Sequence, residues 1–68
     1  MKEKRVMFAI SEIKIMTAKH VLNEAGIVAY SIDKRDHAHG SAFGDIELYV
    51  DESAGERARK ILWDEGIL

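Results

Sequence analysis

Alternation and helical periodicity in this chain predict an α+β fold. Three short segments alternate apolar and polar residues, two longer ones repeat apolar residues at i+3 and i+4, and the strand-then-helix order occurs twice. The first strand covers residues 5–10, with Val6, Phe8 and Ile10 on one face and Met7 and Ala9 on the other. A helix over 12–25 follows. Ser11 supplies its N-cap oxygen, Glu12 places a carboxylate in the first turn, and Ile15, Ala18, Leu22 and Ala25 form one stripe with Val21 beside it. Gly26 ends the helix where the chain takes a left-handed backbone, and Ile27 then packs back on Leu22. The second strand covers 28–32, where Val28, Tyr30 and Ile32 alternate with Ala29 and Ser31. A polar loop over 33–45, holding Gly40 and Gly44, is longer than a tight hairpin needs. The third strand, 46–50, alternates Ile46, Leu48 and Val50 with Glu47 and Tyr49 and so has one wet face. The second helix covers 53–65. Ser53 and Glu56 read as its capping box, Ala54, Ala58, Ile61 and Leu62 as its buried stripe, and Glu56 and Lys60 as an outer i,i+4 pair. Gly55 costs its first turn about 1 kcal/mol relative to alanine.

A shift of 40 residues lays Val6–Val28 over Ile46–Leu68 without a gap. Glu12/Glu52, Ala18/Ala58, Leu22/Leu62, Gly26/Gly66 and Ile27/Ile67 are identical across that shift. Duplication and the convergence of two capped amphipathic helices both produce this pattern, and both lead to the same architecture. Two strand–helix units in tandem form a ferredoxin-like, split βαβ domain over 1–68, in the order β-α-β-β-α. A right-handed crossover leaves a gap between the first two strands, and the third strand fills it. Both helices then cover one face of the antiparallel sheet and bury Val6, Phe8, Ile10, Val28, Tyr30, Ile32, Ile46, Leu48 and Val50. The counterpart of Val28 is Leu68, so the fourth strand is expected to be missing or a stub. The first strand is then an open edge, able to pair with a second copy or with a donated strand, and Met7, Ala9 and Tyr49 lie on the uncovered face.

The charge balance, 10 basic against 12 acidic residues, argues against a nucleic-acid or anionic-membrane binder. The chain has no cysteine, hence no disulfide framework or thiolate chemistry, and no apolar run long enough to span a membrane, so the expected location is the cytoplasm. Asp36, His37 and His39, with Asp33 and Asp45 nearby, are the one cluster resembling a metal site. His-x-His on a loop supplies only two ligands, so the expectation is a solvated, pH-responsive loop with no metal and no cofactor. No serine has a His–acid pair specified for it, and Glu12 and Glu52 suit helix dipoles better than acid–base work; no enzyme is expected. The glycines of 40–44 precede a strand rather than a helix N-terminus, so they form no phosphate cradle. An open face of Met7, Ala9, Glu47 and Tyr49 is a poor base-stacking platform. Trp63 stands one step off the buried stripe of the second helix, half-buried against the sheet edge or free to anchor a partner.

Leu22 to Ile27, Asp33-Lys34-Arg35-Asp36, Phe43-Gly44-Asp45-Ile46-Glu47-Leu48-Tyr49-Val50 and Ala58-Arg59-Lys60-Ile61-Leu62 follow one another in this order. In that succession the chain, from about Arg5 to Leu62, resembles the small prokaryotic signal-transducing protein family, a bacterial domain family of unknown function. That family is similar in fold to the PII nitrogen-regulatory proteins, whose long loop between the second and third strands contacts partners. The resemblance implies a small regulatory module with residues 33–45 as its recognition loop. No nucleotide-contacting motif matches residue by residue, so no ATP or 2-oxoglutarate site is carried over. The expected function is non-enzymatic signal transduction through protein contacts, at that loop and at the open first strand. A PII-like metabolite sensor is the alternative, and a purely structural interaction domain the third reading. Lys34, Arg35, His37, His39, Phe43, Met7, Tyr49 and Trp63 are the candidate partner-binding residues.

Overall fold

The structure is a computed structural model and describes residues 2–33 and 46–68. The elements run β1 (Glu3–Ala9), α1 (Glu12–Glu24), β2 (Ala29–Asp33), β3 (Ile46–Asp51) and α2 (Gly55–Asp64), with a 3-10 turn at Glu52–Ala54 leading into α2. Among the described residues the sheet has three strands in the order β1-β3-β2, and β3 is antiparallel to both neighbours. This is the predicted α+β arrangement, with the third strand inserted between the first two. Asp33, expected in the loop, is instead the last residue of β2 and lies opposite Ile46.

The helix ends follow from local chemistry. The Ser11 hydroxyl accepts the Lys14 amide at 3.3 Å and caps α1. At the other end the Gly26 amide donates to the Asn23 carbonyl and the Ile27 amide to the Leu22 carbonyl, at 3.0 and 2.9 Å. The same pair of bonds, Gly66 to Trp63 and Ile67 to Leu62, closes α2 at 3.0 and 2.9 Å. Both glycines take positive φ, +80° and +75°, as this ending requires. The 40-residue internal likeness is therefore repeated in the backbone. The Arg57 guanidinium adds a tie between the helices by donating to the Ala25 carbonyl at 2.8 Å.

The start of α2 differs from expectation. Asp51 does the capping: its carboxylate accepts the Ser53 amide at 3.0 Å and also the Ser53 hydroxyl. The Ser53 oxygen is thus engaged as a donor, and no side chain caps the first residues of α2 itself. The Ser53 hydroxyl, and after it the Ser53 amide, hold the Asp51 carboxyl below its ordinary value of 3.8. Gly55 is buried, and a Cβ there would lie 2.8 Å from Cδ of Lys4, so glycine makes room for the lysine stem. Lys60 pairs forward with Asp64 at 3.6 Å rather than back with Glu56.

Ile15, Ala18 and Leu22 of α1, Ala58 and Leu62 of α2, and Ile46, Leu48 and Val50 of β3 make the core together with Val6, Met7 and Ile27. Two strands present faces other than the alternation predicts. Arg5 lies opposite Tyr49 and Met7 opposite Leu48, so Val6 is an extra residue in β1, a β-bulge. Up to Val6 the inward and outward sides are as expected; beyond it they exchange. Met7, expected on the open face, is 5% exposed inside the core, whereas Phe8 and Ile10, expected inside, are 59% and 70% exposed. Val28, just before β2, and Tyr30 and Ile32 on it are exposed, and Ala29 turns to the core. Ile27 is buried against α1 as its helix-ending role demands, and this fixes the alternation that follows it.

The reversed faces have an energetic consequence. Met7→Ala should cost about 2–4 kcal/mol in urea unfolding and Phe8→Ala less than about 1 kcal/mol, the opposite ranking to that of an unbulged strand.

Candidate functional site

The face of the sheet turned away from the helices carries two rows that cross all three strands. Arg5, Tyr49 and Tyr30 lie side by side in one, and Phe8, Glu47 and Ile32 in the other. The bulge makes Arg5 and Phe8 successive residues on this face, so the guanidinium sits over the Phe8 ring at 5.3 Å from its centre. The same guanidinium donates to Glu47 Oε2 at 3.0 Å, and the Tyr49 hydroxyl donates to Glu47 Oε1 at 2.6 Å. Each carboxylate oxygen therefore has a donor. Glu47, a residue expected on a wet face, is only 6% exposed. Its burial is tolerable because the charge is paired and hydrogen-bonded. Arg5 is the wetter partner, with half of its side chain exposed.

A second feature lies on the outer side of β1. The strand pairs only with β3 among the described residues. Beside it runs an open groove of about 420 Å3 lined by Arg5, Val6, Met7, Phe8, Arg59 and Leu68. Its lining mixes apolar side chains with the two guanidinium groups of Arg5 and Arg59. A recess of about 200 Å3 lies between α1 and β2, where Lys19 donates to Ser31 at 3.4 Å and Glu12 and Asp33 are also present.

No family model, no curated protein and no solved structure matches the chain. The geometry of these surfaces therefore carries the functional reading.

The predicted site residues fare unequally. Lys34, Arg35, Asp36, His37, His39 and Phe43 lie outside the described residues, as does most of the expected recognition loop. Met7 is not a surface residue; the bulge takes it into the core. Tyr49 is on the open face as expected, half-buried and committed to Glu47. Trp63 is not packed on the sheet edge but 69% exposed on α2, in the other layer from Tyr49. Arg5, Phe8, Tyr30, Ile32 and Glu47 were missed. For β2 a signal existed, since an inward Ile27 requires an outward Tyr30 and Ile32. For β1 alternation alone could not show the extra residue. Among the described residues no three His, Asp or Glu side chains come together to hold a metal, and no helix is long and apolar enough to cross a membrane.

The ion pair can be tested as a unit. Arg5→Met leaves a buried carboxylate with one donor fewer and should cost about 1–3 kcal/mol in chemical unfolding. Glu47→Gln introduced into the Arg5→Met chain should cost less than Glu47→Gln alone, a coupling that a double-mutant cycle reads directly.

Proposed function

We propose that the chain is a non-enzymatic regulatory module that works by holding a partner protein, and that the outer edge of β1 receives an extended segment of that partner. The groove along β1 is the observation that carries this reading. A strand paired on one side presents main-chain donors and acceptors, and a segment laid beside it gains a ladder of hydrogen bonds. Phe8 and Leu68 give the groove apolar lining, while Arg59 gives it a preference for carboxylate side chains. A donated acidic strand is thus the occupant it suits. This reading agrees with the signal-transducing family that the sequence resembles.

A metabolite sensor is the weaker alternative. The recess between α1 and β2, about 200 Å3, is smaller than the roughly 300–1,000 Å3 typical of small-molecule sites, and the groove along β1, about 420 Å3, reaches that size but lies open along the strand.

The test is affinity capture with the wild-type chain and the Arg59→Glu variant as baits, followed by amide hydrogen exchange on any complex obtained. Partners should be retained by the wild type and lost by the variant, and amides of residues 5–8 should slow on binding. Capture that is indifferent to Arg59, with no change along β1, would contradict the reading.

A further inference from the structure

We infer that the open face of the sheet is a self-association surface, covered by the same face of a second copy. Phe8, Tyr30 and Ile32 are 59%, 44% and 46% exposed although they stand on regular strands. With half-buried Tyr49 they form a patch of roughly 350 Å2, within the range of the largest apolar patches that soluble monomers keep for function.

The composition of the face favours a second copy over other occupants. Its central charges, Arg5 and Glu47, are already paired with each other, so an identical surface meets a neutral centre. A nucleic acid is the obvious rival for a face with aromatics on three strands. Yet Arg5 is committed to Glu47, Glu3 and Asp51 stand opposite each other at one end of β1 and β3, and the chain is acidic overall. Phosphates would find little to hold them.

The two rows also suit a two-fold axis laid along β3 in the plane between the sheets. Rotation about that axis places β1 over β2 of the partner subunit and preserves each row. Phe8 then meets Ile32 of the partner subunit, and Arg5 meets Tyr30 of the partner subunit. The first contact is aromatic on aliphatic, and the second lays a cation on a ring face. Tyr49 and Glu47 on the axis meet their own counterparts, each Glu47 carboxylate neutralised by the Arg5 and Tyr49 donors of its own subunit. Three strands of about five residues offer a face of roughly 15 × 17 Å. Covering it from both sides removes roughly 500–700 Å2 in total, the size of a weak, transient contact rather than of a standard interface. The dimer should therefore be dynamic and of micromolar affinity. It leaves the main-chain edge of β1 and Arg59 open, while Arg5 and Phe8 border both surfaces.

Sedimentation velocity across the micromolar range tests the inference on the wild type, Phe8→Glu, Ile32→Lys and Arg59→Glu. The wild type and Arg59→Glu should shift from monomer to dimer as concentration rises. Each face variant should weaken association more than tenfold with unchanged circular dichroism, since both positions are exposed and neither belongs to the core. Two face positions on opposite edge strands guard against one variant failing to fold. A wild type that stays monomeric at hundreds of micromolar would overturn the inference, as would a dimer that both face variants leave intact. Single-stranded RNA binding by the wild type that Phe8→Glu abolishes would reassign the face and also overturn it.

Discussion

Val6 is one residue too many for the ladder between β1 and β3, and the sheet's two surfaces are organised by where that surplus falls. It lies between Arg5, still in step with the start of the strand, and Met7, already in step with Leu48. The bulge lets Val6 and Met7 both enter the core, where the flexible thioether fills space that the rigid ring of Phe8 would otherwise occupy. It also brings Arg5 and Phe8 together on the opposite face. In an unbulged strand residues three apart point to opposite faces, so the guanidinium could not lie over that ring. The stacking of Arg5 on Phe8 beside the Arg5–Glu47–Tyr49 network follows from this single insertion.

Much of the architecture was legible in the sequence because it depends on local chemistry. The Ser11 cap, the Gly-Ile endings of both helices and the inward face of β3 are each specified by residues within a few positions of one another. The face of β2 was legible too, through a constraint linking two elements. Ile27 must pack on Leu22 to close α1, and a strand that begins with an inward Ile27 cannot also turn Tyr30 and Ile32 inward. Their apolar character suggests the core; their phase denies it. The bulge was not legible, because Val6 through Ile10 alternate plausibly in either phase and only the pairing with β3 chooses between them. At the start of α2, Asp51 and Ser53 both suit a cap, and the short turn at Glu52–Ala54 decides for Asp51.

These reversals change the functional reading more than the fold. Met7 leaves the list of contact residues, and the uncovered face becomes an aromatic and aliphatic surface around a paired charge. The chain then has two surfaces of different character: a basic-rimmed strand edge, and a neutral apolar face. An edge recognises main chain and charge, whereas a face recognises shape and apolar area. The proposed partner capture and self-association use largely different residues, with Arg5 and Phe8 the side chains that border both.

The most direct measurement of the central claim is the set of side-chain nuclear Overhauser contacts from the Met7 methyl and the Phe8 ring in solution. The bulged strand requires Met7 to contact core methyls such as those of Leu48 and Leu62, and Phe8 to contact the side chains of Arg5 and Glu47 on the open face. Phe8 contacts to Ala18, Ala58 or Leu62, with Met7 exposed to water, would contradict the account.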